Sequence, residues 1–266
     1  RRIDPEIEIL FVGAEERMEM EKVPAAGYRI IGLPVSGFYR SLTLKNIRVL
    51  WRLARSIFMA RKIIQEFSPD VAVGVGGYAS GPVLKQAGKM GIPTLIQEQN
   101  SYAGVTNRLL AKKASVICVA YDGMEKYFPS DKIIRTGNTV RQNVDNIQNL
   151  RDEAICFFRL SKEQPVILVL GGSQGAGTIN KSLAAEIEKL MKSGCQWLWQ
   201  TGKNYFENIN LLITPGQKEK ISVQSFINRM DYAYAAADII ISRAGAGTIS
   251  ELCLVGKPVI LVPSPN

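Results

Sequence analysis

Three loops rich in small residues could bind phosphate groups. Residues 76–82, 171–177 and 242–248 each follow a short apolar segment and precede a segment with helical periodicity. Backbone N–H groups at such a helix start point outward, and the helix dipole favours a negative charge there. The second loop matches neither the Lys-containing phosphate loop nor the Gly-x-Gly-x-x-Gly spacing of nicotinamide sites. The loops therefore predict anion sites, and the alternative is a set of tight turns without a ligand.

Polar side chains beside these loops suit a sugar nucleotide. Residues 97–100 read Gln-Glu-Gln-Asn after a predicted strand, and such groups can both donate to and accept from sugar hydroxyls. Glu251, one turn beyond the third loop, is placed to accept hydrogen bonds from a ribose diol. Arg141 could reach a phosphate or a base. The alternatives are a polar loop, a helix-capping box formed by Thr248 and Glu251, and a lone surface arginine.

The segments that position these loops occur twice. Residues 70–100 and 238–266 both run Asp, apolar strand, small-residue loop, helix, Gly-x-Pro, second apolar strand and Asn. Strands that alternate with helices predict an α/β fold with parallel sheets, and ligands of such folds bind at the carboxyl ends of the strands. We expect two similar domains, an N-terminal one at 1–145 and a C-terminal one at 146–266.

Composition narrows the chemistry. The chain contains no His, which excludes a His base, a His metal ligand and a Ser-His-Asp triad among these residues. No paired-carboxylate motif stands in a suitable loop, so we expect a metal-free site. The net charge of +9 favours an anionic partner, namely a nucleic acid, a phosphorylated substrate or a membrane surface. Because no stacking or recognition motif accompanies the charge, we expect no nucleic acid partner.

Residues 45–62 predict a basic amphipathic helix. Lys45, Arg48, Arg52 and Arg55 follow one another at helical spacing and form one stripe. Beside the stripe lies an apolar face made of Ile47, Leu50, Trp51, Ala54, Ile57 and Phe58. This combination suits anionic lipid headgroups, and the alternative is a crossover helix with a solvated face.

Six motifs together resemble the MurG family, the membrane-associated transferases that add N-acetylglucosamine to the lipid-linked muramyl-pentapeptide of bacterial peptidoglycan. They occur in the family's order and span nearly the whole chain. The motifs are GGYASGP from Gly76, IQEQNSYAGVTNRLLAKKA from Ile96, GNTVR from Gly137, LGGSQGAGTIN from Leu170, SFINRM from Ser225 and SRAGAGTISEL from Ser242.

The resemblance implies a GT-B fold, in which two Rossmann-like domains with parallel sheets face a central cleft. It also implies an inverting transfer from UDP-N-acetylglucosamine (UDP-GlcNAc) to the C4 hydroxyl of undecaprenyl-diphosphate-linked MurNAc-pentapeptide, which converts lipid I to lipid II. No cofactor is implied. The protein would be peripheral, with the N-terminal domain on an anionic membrane surface at the cytoplasmic face of the bacterial plasma membrane.

The resemblance also assigns roles to individual residues. Glu251 would hold the ribose, Ile227 would contact uracil through its backbone with Met230 beside it, and Arg141 would lie on the nucleotide side of the cleft. Asn100 would lie near the sugar. The diphosphate would meet Ser173, Ala246, Gly247 and Thr248. The membrane contact would consist of Lys45, Arg48, Trp51, Arg52 and Arg55.

The chain departs from the family pattern in three places. The family's first glycine-rich loop, which carries a His proposed as the general base, is absent. The family's distal Gln residues at the donor sugar would follow Asn266, and Gln97 stands where some members have His. We therefore expect a fragment that lacks both ends, leave the catalytic base unassigned, and take Glu98 only as a fallback.

Other functions stay open at this point. A UDP-GlcNAc 2-epimerase shares the two-domain architecture, and would release N-acetylmannosamine instead of a glycolipid. A non-catalytic nucleotide-sugar binding module would bind UDP without turnover. An NAD-dependent oxidoreductase is disfavoured by the loop spacing.

Overall fold

Apolar strands alternate with helices along the described residues, 4–35, 45–144, 147–172 and 174–264, of this computed structural model. The chain divides into two compact units, Arg1–Asn138 (unit 1) and Thr139–Asn266 (unit 2). All strand pairs among the described residues are parallel. The expected fold class, α/β with two Rossmann-like domains, is confirmed.

Unit 1 contains a two-stranded and a four-stranded parallel sheet in its described residues. The smaller sheet pairs β1 with β2, and the larger has the order β3-β4-β5-β6. The helix α3 contacts both β1 and β3, and also packs against α2. The elements are β1 (Leu10–Ala14), α1 (Glu19–Ala25), β2 (Arg29–Leu33), α2 (Lys45–Phe67), β3 (Ala72–Gly74), α3 (Gly77–Lys89), β4 (Thr94–Glu98), α4 (Val105–Leu110), β5 (Val116–Val119) and β6 (Ile133–Arg135).

Unit 2 contains one five-stranded sheet in its described residues, with the order β11-β10-β7-β8-β9. Its central strand is apolar throughout, as expected of a parallel strand that is covered on both faces. The elements are α5 (Arg151–Phe158), β7 (Val166–Leu170), α6 (Gly177–Ala184), α7 (Ile187–Lys192), β8 (Gln196–Gln200), α8 (Phe206–Leu212), β9 (Ile221–Gln224), α9 (Met230–Ala236), β10 (Ile239–Arg243), α10 (Ala246–Val255) and β11 (Val259–Val262).

The register of this sheet aligns the ends of four strands. Ser242 of β10 lies opposite Leu170 of β7, which lies opposite Gln200 of β8, which lies opposite Gln224 of β9. The loops that follow these strands therefore leave the sheet side by side, at its carboxyl edge. Both glycine-rich loops of unit 2 belong to this group.

The division between the units lies at Asn138, earlier than the expected boundary at 145. The short 3-10 helix Gln142–Val144 contacts α9 and α10 of unit 2. Val144 is buried in the same hydrophobic core as Leu168 and Tyr234. Packing therefore assigns this segment to the second unit.

A cluster of charged side chains closes the opposite, amino-terminal edge of the unit 2 sheet. Asp238, just before β10, accepts hydrogen bonds from Arg151 Nη2 (2.9 Å) and from the Val166 backbone N–H (2.8 Å). Arg151 Nη1 also donates to the Ala236 carbonyl, and Lys257 Nζ donates to the Ala235 carbonyl, each at 2.9 Å. The cations thereby satisfy carbonyls at the negative end of α9.

The ionised form of Asp238 is favoured by this cluster. Partial burial would raise the pKa of the Asp238 carboxyl, but the bonds from Arg151 and from the Val166 N–H outweigh burial and leave the pKa below its ordinary value. A group with a lowered pKa in the folded state stabilises the protein above its unfolded pKa, about 3.9 for Asp. This stabilisation disappears as the pH falls through the lowered, folded-state pKa.

We expect Asp238→Ala to lower the free energy of unfolding by about 1 kcal/mol at pH 7, at the low end for charged hydrogen bonds because the pair is partly exposed. Urea denaturation at pH 7 and at pH 3 measures the effect, which should shrink at the lower pH. Asp152→Ala is the control. Asp152 pairs with Lys162 on the surface, so its loss should lower the free energy of unfolding by less than the loss of Asp238. An equal loss at both pH values would contradict the charge-based account.

Candidate functional site

The loop after β7 and the loop after β8 touch through two glycines. Gly175 and Gly202 both have positive φ angles, +90° and +81°. A Cβ atom on Gly202 would lie 2.2 Å from the Gly175 backbone nitrogen, and a Cβ atom on Gly175 would lie 2.3 Å from the Thr201 carbonyl oxygen. Only glycine fits at either position. The predicted anion loop 171–177 is therefore held by close backbone contact; its residue Ser173 lies outside the described residues.

The buried amide group of Asn180, on the helix that follows the first loop, is hydrogen-bonded to the second loop and to β8. Asn180 of α6 donates from Nδ2 to the Thr201 carbonyl (2.8 Å) and accepts at Oδ1 from Trp199 Nε1 (2.9 Å). All three residues are buried. The start of α6 is thereby fixed relative to the end of β8, and its first turn has no side-chain cap. The first-turn N–H groups are placed to meet an anion.

Gln200 links the glycine loop to the segment after β9. Its buried side chain donates from Nε2 to the Gly172 carbonyl (3.3 Å) and accepts at Oε1 from the Ile227 N–H (2.9 Å). Sequence reasoning missed this residue. The available signal was a polar side chain that follows the apolar run 197–199 at the end of β8.

The structure places Ile227 and Met230 beside this link. The side chains of both residues are buried in the core of unit 2, and Met230 begins α9. The Ile227 N–H is engaged by Gln200, so this backbone donor already has a partner within unit 2.

The loop after β10 ends in a second uncapped helix start. Gly245 is the N-cap residue of α10, and no side chain bonds to the cap. The first helical bond runs from the Ile249 N–H to the Gly245 carbonyl (2.9 Å), so the N–H groups of Ala246, Gly247 and Thr248 lie in the first turn. Three of the four residues expected at the diphosphate therefore share one helix start.

The capping-box interpretation of Thr248 and Glu251 is wrong. It requires Thr248 to be the N-cap residue, but α10 begins two residues earlier, at Ala246. Thr248 is then the third residue of the helix, and Glu251 lies near its middle. Glu251 is consequently available for contacts outside its own helix.

Glu251, which is buried, bonds to the buried Tyr234 and to the half-exposed Arg141. Arg141 Nη1 and the Tyr234 hydroxyl both donate to Glu251 Oε2 at 3.0 Å. Burial raises the pKa of the Tyr234 phenol, and the neighbouring Glu251 charge raises it further, so the hydroxyl remains a donor. The structure brings together the two expected residues Arg141 and Glu251, and adds Tyr234, which sequence reasoning missed.

In unit 1, Glu98 is the centre of a separate hydrogen-bond network. The side chain is 2% exposed. Its Oε1 accepts from the Asn100 N–H (3.0 Å) and from Asn100 Nδ2 (3.1 Å), and its Oε2 accepts from the Gly104 N–H and from Asn107 Nδ2, both at 2.9 Å. Burial would raise the pKa of Glu98, but these four bonds outweigh burial and lower it.

The geometry of Glu98 does not fit a general base. A base needs a free lone pair directed at the substrate and a pKa near the working pH. Both oxygens of Glu98 are occupied and its pKa is lowered. The carboxylate instead fixes the loop that carries Asn100.

Asn100 lines a pocket of about 340 Å³ in unit 1. The pocket lies between the loop at the start of α3, which contains Gly76 and Gly77, and the loop after β4. Both glycines have positive φ angles, +94° and +77°. Amide side chains and a helix start therefore meet at the carboxyl ends of β3 and β4, where a sugar or phosphate ligand would fit.

The expected membrane residues lie on α2, although the side chains of Lys45 and Arg48 lie outside the described residues. Trp51 is 63% exposed, and the Arg55 guanidinium lies 5.7 Å from the centre of the Trp51 ring. Phe58, one turn further, is 72% exposed. Arg52 is only partly exposed and lines a cavity with Glu15, Glu16 and Arg17.

The described residues contain neither a cluster suited to a metal ion nor a helix suited to crossing a bilayer. No group of three or more Cys, Asp or Glu side chains is arranged to hold a metal ion there. None of the helices described has the combined length and hydrophobicity needed to cross a bilayer.

Comparisons with known proteins match both units. Residues 1–119 match the glycosyltransferase family 28 N-terminal domain, and residues 166–266 match the family 28 C-terminal domain. The chain is 60% identical over 262 residues to the UDP-N-acetylglucosamine--N-acetylmuramyl-(pentapeptide) pyrophosphoryl-undecaprenol N-acetylglucosamine transferase of Parabacteroides distasonis, covering 98% of this chain and 71% of that protein. The Bacteroides fragilis transferase of the same name is 59% identical, with 100% and 70% covered.

Solved structures agree with these matches. The crystal structure of Acinetobacter baumannii MurG has a TM-score of 0.67 at 27% identity and covers 97% of this chain and 71% of that chain. A Neisseria meningitidis UDP-GlcNAc 2-epimerase has a TM-score of 0.62 at 16% identity, covering 98% and 84%, which shows the shared fold alone.

These matches confirm the resemblance inferred from the six motifs. The chain belongs to glycosyltransferase family 28, and within it to the family of the UDP-N-acetylglucosamine--N-acetylmuramyl-(pentapeptide) pyrophosphoryl-undecaprenol N-acetylglucosamine transferases.

Proposed function

We propose that this protein transfers N-acetylglucosamine from UDP-GlcNAc to the C4 hydroxyl of undecaprenyl-diphosphate-linked MurNAc-pentapeptide, the step from lipid I to lipid II in peptidoglycan synthesis. The observation that carries the proposal is the 60% identity to a transferase with that donor and acceptor in its name, over 98% of this chain. The loops of unit 2 supply a geometry that suits the donor.

The donor diphosphate binds at the carboxyl edge of the unit 2 sheet in this proposal. Ala246, Gly247 and Thr248 offer the first-turn N–H groups of α10, and the residues from Gly177 onward offer those of α6. Ser173, which lies outside the described residues, is proposed from the resemblance to add a hydroxyl donor. The acceptor hydroxyl attacks the anomeric carbon, the bond to the β-phosphate oxygen breaks, and UDP leaves. Fixed helix starts stabilise the negative charge that develops on the leaving diphosphate.

The nucleoside is held by the neighbouring residues. Glu251 has one oxygen, Oε1, to which no described residue donates, and this oxygen accepts the ribose hydroxyls. The Ile227 carbonyl accepts from the N3–H of uracil, with Met230 beside it, and Arg141 lies near the nucleotide. Uracil is favoured over cytosine, because cytosine presents an acceptor at N3 where the carbonyl needs a donor.

The acceptor side belongs to unit 1 in this proposal. Asn100, oriented by Glu98, contributes an amide to the sugar in the pocket described above. We assign no catalytic base among the described residues, and the proposal uses no cofactor and no nucleic acid partner.

The membrane contact lies on α2. Trp51 and Phe58 present aromatic rings to solvent, and Arg55 beside Trp51 supplies positive charge for anionic headgroups. The sequence pattern alone supports a contribution from Lys45, Arg48 and Arg52 to this charge. The protein is therefore proposed to be peripheral on the cytoplasmic face of the bacterial plasma membrane, where a lipid-linked acceptor is accessible.

Transfer of label into lipid tests the proposed function. The protein is incubated with labelled UDP-GlcNAc and lipid-linked MurNAc-pentapeptide, and we expect label in the lipid fraction. Glu251→Ala should lower kcat/KM by at least about tenfold through loss of hydrogen bonds to the ribose, while Glu153→Ala, on the surface of α5, should not. Free N-acetylmannosamine without labelled lipid would instead identify an epimerase, and UDP binding without either product a binding module.

The α2 surface gives a second prediction. Changing both Trp51 and Phe58 to Ser should weaken binding to vesicles that contain anionic phospholipid by about tenfold or more, because two aromatic side chains no longer enter the interface. Vesicle sedimentation measures the effect. Leu211→Ser with Leu212→Ser, at exposed positions of unit 2, is the control. Unchanged binding by the α2 variant would remove the membrane role of this helix.

The Glu98→Gln variant tests whether the Glu98 carboxylate has a structural role or acts as the general base. We expect the free energy of unfolding at pH 7 to fall by about 1–3 kcal/mol, because the Gln amide cannot accept from all four donors. We expect kcat of the folded protein to change by less than about tenfold. Urea denaturation and the pH dependence of kcat measure both. A loss of about 100-fold in kcat at unchanged stability would instead identify Glu98 as the base.

A further inference from the structure

The Glu251 carboxylate is engaged on one side only. Arg141 Nη1 and the Tyr234 hydroxyl both donate to Oε2, each at 3.0 Å, and no donor from the described residues reaches Oε1. The two oxygens are therefore inequivalent. The orientation of the carboxyl plane depends on what holds Oε2.

Tyr234 and Arg141 differ in how firmly they can hold that oxygen. Tyr234 is 1% exposed, lies in the middle of α9, and packs in the hydrophobic core of unit 2 with Leu168, Ile240 and Leu252. Its ring has two side-chain torsions, and both are restricted by packing. The Arg141 side chain is 50% exposed and has a long flexible stem. The tyrosine is therefore the fixed point of the cluster, and the arginine mainly balances its charge.

The buried Tyr234 hydroxyl bonds to a charged carboxylate, a stronger bond than one to a neutral carbonyl. A buried phenol needs a partner, and a backbone carbonyl would suffice. Here the partner is a carboxylate whose other oxygen has no donor from the described residues. This arrangement directs the open oxygen instead of merely satisfying the phenol.

We propose that Tyr234 is a positioning residue for the ribose: its hydroxyl holds Glu251 Oε2 so that Oε1 faces the ribose diol. This inference rests on the proposed function, because it takes Glu251 as the ribose acceptor. Tyr234 itself does not touch the nucleotide, and acts only through the carboxylate.

The test compares two nucleotides and two matched variants. Tyr234→Phe removes one hydroxyl from the core and keeps the ring. Tyr232→Phe makes the same change on the same helix, where the hydroxyl donates to Glu153 Oε2 at 2.8 Å on the surface. The ligands are UDP and 2′,3′-dideoxyuridine diphosphate, which lacks both ribose hydroxyls. Calorimetric titration of the full chain gives Kd, and thermal unfolding confirms that each variant is folded.

We expect Tyr234→Phe to weaken UDP binding by about fivefold to tenfold, less than the loss of a direct hydrogen bond to a charged group, because Tyr234 acts only through Glu251. Binding of the dideoxy nucleotide should change by less than about twofold, and Tyr232→Phe should change neither. In a Glu251→Ala background, Tyr234→Phe should add no further loss for UDP, because the residue through which it acts is gone.

Two results would overturn the inference. Equal weakening of both nucleotides by Tyr234→Phe would mean that the hydroxyl supports the fold and not the ribose site. Unchanged binding of UDP would mean that Arg141 alone orients the carboxylate. The proposed function fails separately, on the unmodified protein: absence of UDP binding removes the donor site, and equal affinity for both nucleotides removes Glu251 from the ribose.

Discussion

The parallel register of β10, β7, β8 and β9 is the constraint on which the candidate site depends. Because all four strands run the same way and are aligned at Ser242, Leu170, Gln200 and Gln224, their following loops emerge together. Two of those loops start helices without side-chain caps, so exposed N–H groups and helix dipoles lie at one edge of the sheet. The opposite edge carries the Arg151, Asp238 and Lys257 cluster, which fixes the strand starts. One edge is thus closed by internal partners, and the other remains available to a ligand.

Local pattern predicted the strands and glycine loops, and long-range partners decided the rest. Strands at 166–170 and 259–262 agree with the structure because a short apolar run between turns is a local signal. The sequence pattern over 178–192 predicts one helix, but the structure has two, α6 and α7. The short helix α1 contains Pro24, and its residues carry no clear helical pattern. Glu251 is hydrogen-bonded to Arg141, which lies 110 residues away in the sequence, and Gln200 to Ile227, which lies 27 residues away. No sequence periodicity encodes such pairs. The contacts of Gln200 and Tyr234 can therefore be recognised only in the three-dimensional structure.

Glu98 and Glu251 show how environment separates two carboxylates of the same chain. Glu98 accepts four hydrogen bonds that use both of its oxygens, and its effect is to hold a loop. Glu251 accepts two bonds on one oxygen, and no residue in the described part of the chain donates to the other. The same scaffold in a 2-epimerase at 16% identity illustrates that the fold alone does not decide the chemistry. The two residues have the same side chain and differ in which carboxylate oxygens have hydrogen-bond partners. Such local differences, and not the fold, distinguish their roles.

The contact between Gly175 and Gly202 limits how this site can be altered. Each glycine occupies backbone space that a side chain on the other strand's loop would need, and each has a dihedral angle that other residues rarely adopt. Neither position can therefore change alone, and changing both together would still strain the backbone twice. An engineer who grafts a new donor preference onto this scaffold would have to transplant the loops after β7 and β8 as one piece. The two loops can therefore be changed only together, although 26 residues of sequence separate their glycines.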